Sequence, residues 1–590
     1  MRFLTHWSAF RLLIFSVLIG WTSASYGQFI TTSGTVIKDP EGEPMIWRGI
    51  GLGGWMLQEG YMLKTRGPQH TLEARIEELI GPADRARFYE AWWQNHFTKR
   101  DVDSLAAWGY NTIRLPMHYK LFTPPIEQEL NPNHSTWLDR GFVMVDSLIS
   151  WCRAHEIYLI LDLHAAPGGQ GENADINDYD RTQPSLWESE ANQQKTIDLW
   201  VEIARRYQNE PVIAAYDLIN EPNWGFEDHA NDLNGCKEQD NAPLWGLLAR
   251  ITKAIRQVDQ NHILVIEGNC WGNNYRNLPP LWDDNLVISY HKYWNENKLE
   301  NIQHMLDMRS QRQVPIWLGE SGENSNVWFS ECIELLESQE VGWAWWPYKK
   351  LGWNNPFQIP MNEDYQQVVD FWNEQGPKPS REAALVGLMQ LANDAYAANN
   401  EYHPDVVDAM IRAPHTQETR PYREHKLSGT NSKIVACADY DMGRIGQAYE
   451  DSESVNETGR PGGQPWNLGF QYRNDGVDIG RQEDPDEFSS GYFVGWTESG
   501  EWMKYTVEVE QPGTYQLSIR YAGVQSGRIE LLLNDQSAFE AQLPATQDEK
   551  QWQIHSLGRL NFQQGKQFLI LKINQGGLLL DYLKVKPVDP

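Results

Sequence analysis

The sequence has 590 residues, of which 41% are hydrophobic and 22% are charged, so the chain can bury a large core and is not a disordered polymer. Its formal net charge of −30 argues against a nucleic-acid-binding protein, because such proteins need clustered basic side chains. The length allows about two to four domains.

Basic and then apolar residues open the chain. Arg2 and Arg11 precede an apolar run at 12–21, and small residues follow it at 23–25. This order predicts a secretory signal peptide over residues 1–27, and hence a protein exported to the periplasm or out of the cell. The run is shorter than the roughly 20 residues that span a membrane, so we expect no membrane contact after cleavage.

Short apolar runs alternate with longer amphipathic segments between residues 28 and 413. Eight runs are predicted strands, at 46–55, 112–116, 158–164, 215–221, 262–267, 286–293, 315–320 and 341–346. Strands that alternate with helices form parallel sheets, and eight such units make a (β/α)₈, or TIM, barrel. Further helices are predicted at 380–397 and 404–412, and a Pro-bearing linker is predicted at 414–430.

The character of the chain changes after residue 430. Alternating runs separated by Gly, Asn and Pro predict strands at 502–509, 514–521, 529–533, 568–573 and 579–585. This pattern is typical of an all-β antiparallel sandwich of the jelly-roll type, here over residues 431–590. The sequence therefore predicts an α/β barrel followed by a separate β-sandwich domain.

Five cysteines occur, at 152, 236, 270, 332 and 437, and none has the C-x-x-C spacing of a zinc or redox motif. Export permits disulfides. Cys236 and Cys270 both fall in loops after predicted strands, on the same face of the barrel, and are the best candidates for a disulfide.

Two glutamates end the fourth and seventh predicted strands. Glu221 stands in Asn-Glu-Pro, and Glu320 stands in Leu-Gly-Glu. The carboxyl ends of barrel strands meet at the face that carries active sites. Two carboxyl groups on either side of one glycosidic bond are sufficient for its hydrolysis with retention, one as nucleophile and one as acid/base. No organic cofactor or catalytic metal is then needed.

The segment AYDLINEP at 215–222 resembles the acid/base motif of glycoside hydrolase family 5, the cellulase-type family, and the resemblance extends over about residues 35–413. It implies that Glu221 is the acid/base and Glu320 the nucleophile. Other strand-end residues match family positions that support the nucleophile or contact the sugar: Arg114, His164, Asn220, His291, Tyr293 and Trp346. Each of these could instead be a structural residue, and Trp345 could face the sugar in place of Trp346. A guanidinium beside Glu320 would favour its ionised form.

The Gly-rich stretch at 48–59 and the loop at 163–170 are similar to the branch of that family that holds exo-β-1,3-glucanases and endo-β-1,6-glucanases. This similarity implies that Trp55 and Glu59 contact the terminal sugar. The alternative is that the glycines only form a tight first turn.

The C-terminal region resembles carbohydrate-binding module family 6, in segments such as Asp-Tyr-Asp at 439–441 and the stretch 471–479. The resemblance implies that Tyr472 stacks on a sugar. The pattern departs at Ala438, where a Glu usual in the family is missing, and at Leu579, where an Asn is expected. The first departure weakens the case for the structural calcium of that family.

These observations predict a secreted retaining hydrolase that cleaves β-glucosidic bonds in a β-glucan polysaccharide or oligosaccharide and acts as a monomer. One alternative is an endo-β-1,4-glucanase or a β-mannanase on the same scaffold, since a fold does not determine the substrate. Another alternative, of a different class, is a non-catalytic carbohydrate-binding protein. Linkage preference and exo or endo action stay open.

Overall fold

The computed structural model describes residues 29–129, 131, 135–456 and 465–588. The predicted signal peptide lies outside the described residues. Within them, no helix has the length and apolar character that a membrane crossing requires. A short hairpin, β1 (Thr31–Ser33) and β2 (Val36–Lys38), comes first.

Eight parallel strands close into a barrel, so the predicted fold is confirmed. They are β3 (Arg48–Gly51), β4 (Thr112–His118), β5 (Tyr158–Ala165), β6 (Ile213–Asp217), β7 (Ile263–Glu267), β8 (Leu286–Lys292), β9 (Ile316–Gly322) and β10 (Gly342–Trp346). They pair in chain order, and β10 closes on β3. Each predicted run overlaps one of these strands, although β3 is shorter than predicted and β6 ends before Glu221.

Helices lie between the barrel strands along the chain, and three more follow the last barrel strand. They are α1 (Gln69–Ile80), α2 (Pro82–His96), α3 (Lys99–Trp108), α4 (Asp139–Arg153), α5 (Ala174–Asn177), α6 (Glu190–Tyr207), α7 (Ala242–Ile255), α8 (Asn269–Gly272), α9 (Leu299–Arg312), α10 (Asn326–Ser338), α11 (Glu363–Trp372), α12 (Arg381–Asp394) and α13 (Pro404–Ile411). Both predicted late helices are present as α12 and α13. Three two-residue strands form a small separate sheet: β11 (Lys349–Lys350), β12 (Phe357–Gln358) and β13 (Glu401–Tyr402).

The barrel interior is apolar at one end and charged at the other. Successive side chains of a strand point to opposite faces, so every second residue faces inward. Ile160, Ala215 and Val265 are buried in one apolar cluster with Trp47 and Trp317. Two residues further along β5, β6 and β7, the buried residues are Asp162, Asp217 and Glu267. The alternation therefore places a layer of carboxyl groups on top of an apolar base.

The C-terminal module, residues 425–588, is a sandwich of two mainly antiparallel sheets. Its strands are β14 (His425–Leu427), β15 (Lys433–Ala436), β16 (Tyr449–Glu450), β17 (Ile479–Arg481), β18 (Tyr492–Val494), β19 (Trp502–Val509), β20 (Gly513–Ala522), β21 (Gly527–Leu533), β22 (Gln536–Leu543), β23 (Gln553–Phe562), β24 (Gly565–Gln575) and β25 (Leu579–Pro587). One sheet has the order β14-β19-β24-β21-β22 and the other β17-β18-β25-β20-β23. All five predicted strands are present.

The predicted linker at 414–430 is wrong in part, because its second half belongs to the module. Strand β14 pairs with β19 in parallel register, and Arg420 exchanges backbone hydrogen bonds of 2.9 and 2.7 Å with Met442. One contiguous hydrophobic cluster also runs from the barrel helices into the sandwich. The two domains therefore form one packed body and are not separate units on a free tether.

Candidate active site

The two predicted catalytic carboxyl groups meet at the carboxyl end of the barrel. Glu320 lies in β9, and Glu221 lies four residues beyond the end of β6. One ligand atom each of Glu221, Glu320 and His291 lie within 4.8 Å of one another. Retaining enzymes hold their carboxyl groups about 5–5.5 Å apart, whereas inverting enzymes need about 6.5–9.5 Å. The spacing therefore fits attack by one carboxylate on the sugar itself.

Glu221 is held in an uncommon backbone conformation, with a φ of 41°. Its N–H donates to Glu267 Oε2 at 2.7 Å, and its carbonyl accepts from the Asn223 amide at 2.8 Å. A positive φ costs free energy for a residue other than glycine, so it persists only where surrounding contacts enforce it. These two contacts aim the Glu221 side chain at the site.

Glu320 is bound on both of its oxygens. Arg114 Nη1 donates to Oε2 at 2.9 Å, and the Tyr293 hydroxyl donates to Oε1 at 2.8 Å. Burial and then the charge of Glu320 raise the pKa of Tyr293 well above its ordinary value, so this hydroxyl keeps its proton and acts as a donor. The structure thus places both predicted supporting residues on the predicted nucleophile.

Arg114 is fully buried and stands at the centre of the carboxylate layer. Besides Glu320 it contacts Asp217 at 3.0 Å, Glu267 at 3.1 Å and Asp162 at 3.3 Å. Burial and then the charge of Glu267 raise the pKa of Asp217 well above its ordinary value, and the charge of Arg114 opposes this shift. Arg114 therefore compensates several buried negative charges, and its removal would leave them unpaired.

Glu267 contacts residues on both sides of the carboxylate pair, Glu221 and Arg114, and also lies near His291. It accepts from the Glu221 backbone and from Arg114 Nη2, and it lies 3.3 Å from His291 Nε2. Burial alone would raise the pKa of Glu267, but the positive charges of His291 and Arg114 lower it to about 2. Glu267 was not among the predicted site residues, although a Glu at the end of a predicted strand was the available signal.

His291 lies between the carboxyl groups, with Nδ1 2.6 Å from Glu221 Oε1. Burial lowers its pKa, but the charges of Glu267 and Glu320 outweigh burial and raise the pKa of His291 well above the ordinary value.

The pKa of Glu320 is set by several opposing effects, of which burial is the largest and raises it. The charge of His291 lowers the pKa of Glu320, and the charge of Glu221 raises it. The charge of Arg114 also lowers it, but less than the charge of His291 does. Arg114 therefore does not by itself keep Glu320 ionised.

A second group of residues closes one side of the site. His164 Nδ1 lies 2.7 Å from Asp162 Oδ2, and its Nε2 lies 3.3 Å from the Asn220 amide and 3.7 Å from Glu59 Oε1. The His164 ring stacks on Trp346, with centroids 5.2 Å apart and planes at 8°. Asn220 in turn accepts from Arg114 at 2.7 Å. The predicted residues His164, Asn220, Trp346 and Glu59 are thus brought together beside the two glutamates.

Tyr61 forms the rim of this group and was missed by the sequence analysis. Its hydroxyl accepts from the Trp346 indole at 2.9 Å, and its side chain is 38% exposed. Tyr61 follows the Gly-rich stretch at 48–59 by two residues, so its closeness to Glu59 in the sequence was the only available sign of a role in the site. An aromatic ring exposed beside buried polar groups is suited to contact with a sugar.

Glu59 is expected to make the folded protein less stable at alkaline pH. Burial raises its pKa to about 7 from an ordinary value of 4.5, although His164 opposes the shift. Because the folded pKa is the higher one, the folded state loses stability as the pH rises from about 4.5 through 7, by on the order of 3 kcal/mol. Glu59→Gln removes this titration. The difference in Tm between Glu59→Gln and the wild type should therefore be more positive at pH 8 than at pH 4.5, and parallel Tm curves would contradict the assignment.

Trp55 does not contact the site, so the prediction for this residue is wrong. Its side chain is 2% exposed, its indole N–H donates to the Trp93 carbonyl at 2.8 Å, and its ring packs on Phe97. The polar edge of the ring is therefore already used inside the protein. The Gly-rich turn directs Glu59 to the site and Trp55 into the core.

A disulfide joins Cys236 and Cys270, so the predicted pair is confirmed. It links the loops that follow β6 and β7. Next to it, the Trp271 N–H donates to the Pro222 carbonyl at 3.1 Å, and the Trp224 N–H donates to Asn269 Oδ1 at 3.0 Å. The cross-link therefore stabilises the wall of the site that begins directly after Glu221.

The barrel matches a known family. The model described as cellulase (glycosyl hydrolase family 5) matches residues 80–352, a range that contains seven of the eight barrel strands and both glutamates. The barrel is that of an O-glycosyl hydrolase. The pair of carboxyl groups that glycoside hydrolysis requires is complete in this hydrolase.

Several curated proteins are similar to this hydrolase. A β-xylosidase from Phanerodontia chrysosporium is 26% identical over 453 residues, which cover 69% of this chain and 87% of that protein. Endoglucanase C from Acetivibrio thermocellus is 24% identical over 346 residues, or 48% of this chain and 92% of that protein. A probable glucan 1,3-beta-glucosidase A from Aspergillus clavatus is 28% identical over 183 residues, or 30% and 41%. Among solved structures, a beta-glucanase from Saccharophagus degradans has a TM-score of 0.38 at 20% identity and covers 62% of this chain and 93% of that chain.

The module of the hydrolase matches a different family from the one predicted. The model for carbohydrate binding module (family 35) covers residues 473–585. The prediction of family 6 is therefore wrong, while the prediction of a carbohydrate-binding type of module is confirmed. The departures at Ala438 and Leu579 had marked positions where the family 6 pattern failed.

Tyr472 is not free to stack on a sugar, so its predicted role is also wrong. One ring face is covered by Tyr492, with centroids 4.4 Å apart and planes at 21°, and Tyr422 packs against it at 5.3 Å. Its hydroxyl donates to Asp439 Oδ1 at 2.6 Å. The ring is therefore a packing residue of the module.

Proposed function

We propose that the protein is an exported retaining hydrolase that cleaves β-glucosidic bonds in β-glucans, with Glu221 as acid/base and Glu320 as nucleophile. The observation that carries the proposal is the distance of at most 4.8 Å between the nearest oxygens of these two residues, at the carboxyl end of the barrel. The cellulase-family match of the barrel supports the same reaction class.

In the first step, a Glu320 oxygen attacks the anomeric carbon, and the bond to the leaving oxygen breaks as Glu221 donates a proton to that oxygen. This step yields a covalent glycosyl-enzyme and a shorter sugar. In the second step, Glu221 takes a proton from water, the water oxygen attacks the anomeric carbon, and Glu320 leaves as a carboxylate. The two inversions give net retention, and each residue returns to its starting state.

The surrounding residues act by position and charge. Arg114 and Tyr293 each donate to one oxygen of Glu320 and orient it for attack. Loss of the negative charge of Glu320 on ester formation removes a like charge beside Glu221, and this change helps Glu221 to ionise and act as a base. Asn220 is placed between Arg114 and His164, where its amide can meet a sugar hydroxyl.

Measurement of the product anomer tests this proposal. During early hydrolysis of a β-glucan oligosaccharide, ¹H NMR should show the β-anomer first, followed by slow mutarotation to the equilibrium mixture. Initial release of the α-anomer would mean that water attacks directly, and it would contradict the role of Glu320 as nucleophile.

The preferred substrate that we propose is a β-1,3- or β-1,6-linked glucan. This proposal is supported by the similarity of residues 48–59 to the family 5 branch that holds exo-β-1,3-glucanases and endo-β-1,6-glucanases. The matches to proteins named glucan 1,3-beta-glucosidase also support it. Glu59 is 6% exposed and lies against His164 at one side of the site. A buried carboxyl group at this position is suited to bind the hydroxyl groups of a terminal sugar, so we propose cleavage from a chain end.

A β-1,4-linked substrate is the second candidate. It is favoured by the match to endoglucanase C over 92% of that protein and by the β-xylosidase match over 87% of that protein. Rates on β-1,3-, β-1,4- and β-1,6-glucans, mannan and xylan, together with product lengths, distinguish the candidates. Single sugars released from a β-1,3-glucan support the first candidate, and mixed oligosaccharides from a β-1,4-glucan support the second.

Export, a monomeric state and independence from metals or organic cofactors are part of the proposal. The disulfide Cys236–Cys270 supports export, because disulfides persist mainly in oxidising compartments. The two carboxyl groups supply both the nucleophile and the proton, so the reaction as written needs no further group.

A further inference from the structure

Buried polar contacts join the module to the loop that follows β9, the strand of Glu320. The Asn326 N–H donates to the Asn474 carbonyl at 2.9 Å, and the Asn474 amide donates to the Asn324 carbonyl at 2.9 Å. The Asn326 amide donates to Asp475 Oδ1 at 3.0 Å. All four side chains are at most 4% exposed. Buried polar groups are costly to leave unpaired, so these bonds hold the module in one position on the barrel.

Helix α13 and Arg473 complete the same network. Asp405 Oδ2 accepts from the Asn326 amide at 2.8 Å and from the Asn474 N–H at 2.9 Å. Arg473 donates to Asp475 at 2.7 Å and compensates its buried charge. The contact between the domains is therefore a specific arrangement of paired groups.

A second contact between the domains is aromatic. Trp353, in the segment between β11 and β12, has its ring centre 4.8 Å from that of Phe470 and 5.5 Å from that of Trp466, and both of these rings belong to the module. Trp466 is 5% exposed and donates to Asn474 Oδ1 at 3.2 Å, which connects the aromatic contact to the polar network. Trp353 and Phe470 are both only half-buried.

These rings stand on loops that border the catalytic residues. Lys350, in β11, precedes Trp353 by three residues, and its Nζ donates to Glu323 Oε1 at 2.7 Å. Glu323 follows Glu320 by three residues. The same Nζ lies 5.3 Å from the ring centre of Tyr61, which accepts from Trp346. The segments that follow β3, β9 and β10 thus contact one another beside the catalytic residues, and Phe470 of the module contacts the last of them through Trp353.

We propose that Trp353 and Phe470 form a sugar-binding subsite of the active-site cleft that is shared by the barrel and the module. Half-exposed aromatic rings offer the apolar surface that the C–H face of a pyranose requires. The occupant is a glucosyl unit of a β-glucan chain, at a distance from the bond that is cleaved. The subsite rests on the proposed function, and it makes the module part of the catalytic unit.

The test compares full-length variants on β-glucan oligosaccharides of two to six sugars and on an aryl β-glucoside. The measured quantity is the ratio of kcat/KM for the longest oligosaccharide to kcat/KM for the aryl glucoside. Phe470→Ala and Trp353→Ala should each lower this ratio by about tenfold, because a long chain loses an aromatic contact that the short probe never makes. Trp496→Ala is the matched control, since Trp496 is a 48% exposed aromatic residue of the same module. It should leave the ratio unchanged.

Two further variants separate sugar binding from packing. Phe470→Leu keeps an apolar side chain against Trp353 but lacks the flat ring, so it should lower the ratio as Phe470→Ala does, while Phe470→Tyr should restore it. A Phe470→Leu protein with the wild-type ratio overturns the subsite and leaves only a structural contact. A wild-type protein that cleaves none of these probes overturns the proposed function and the subsite together. Thermal unfolding confirms that each compared variant is folded.

Discussion

Replacing Glu320 by alanine is expected to lower kcat on β-glucan by on the order of 10⁵-fold, because no other side chain can form the glycosyl-enzyme. Arg114 and Tyr293 both donate to this carboxylate in the wild type, and neither can replace it. Initial rates of reducing-sugar release measure the loss. Azide should restore turnover in this variant by attack on the anomeric carbon from the vacated side. The product is then an α-glycosyl azide, which NMR identifies.

Glu323→Gln is the matched control for that experiment. Glu323 is the carboxylate that follows Glu320 most closely in the sequence. Its Oε1 accepts from Lys350 at 2.7 Å, and its side chain is 24% exposed. We expect this variant to keep kcat within about threefold of the wild type, as is usual for a change outside the reacting groups. The nucleophile assignment is overturned by a Glu320→Ala protein that is folded and hydrolyses the glucan at a near wild-type rate.

Glu221→Ala should show a loss that depends on the leaving group. On β-glucan, whose leaving sugar needs a proton, kcat/KM is expected to fall by about 10³- to 10⁴-fold. On a dinitrophenyl β-glucoside the loss of kcat/KM should be much smaller, because the phenolate departs without a proton. Deglycosylation still needs a base, so a burst of dinitrophenol should precede a slow steady state. Stopped-flow absorbance measures both phases.

Glu227→Gln serves as the control for Glu221→Ala, because Glu227 is an exposed carboxylate six residues further along the same loop. It should show neither the burst nor the dependence on the leaving group. Equal losses of Glu221→Ala on the glucan and on the dinitrophenyl glucoside would instead mean that Glu221 stabilises the site without transferring a proton.

Much of the barrel and its chemistry could be predicted from the sequence. Strands that are buried on both faces are continuous apolar runs, and such runs are visible without knowledge of their neighbours. Each run also ended in a polar or aromatic residue at the face where active sites lie. This combination pointed to Glu221 and Glu320, whereas the roles of Arg114 and Tyr293, which contact Glu320, were implied by the resemblance to glycoside hydrolase family 5.

Residues whose role depends on partners distant in the chain were less predictable. Glu267 was missed because its three contacts come from β4, from the loop after β6 and from β8. Strands β22 and β23 were missed because most of their residues are exposed or half-buried, so they lack a clear apolar alternation. Trp55 and Tyr472 had the expected residue type, but neighbouring rings in the folded chain cover both of them.

The sequence by itself determined the order of the elements, the α/β barrel and the two carboxylic acids, because apolar periodicity and strand-end residues are local properties of the chain. Only the tertiary structure decided that the predicted linker contains a strand of the module, that Arg114 contacts four carboxyl groups, and that the module packs against the loop after β9. Those outcomes depend on which side chains meet across hundreds of residues, and the free energy of such contacts belongs to pairs of groups that no single segment contains.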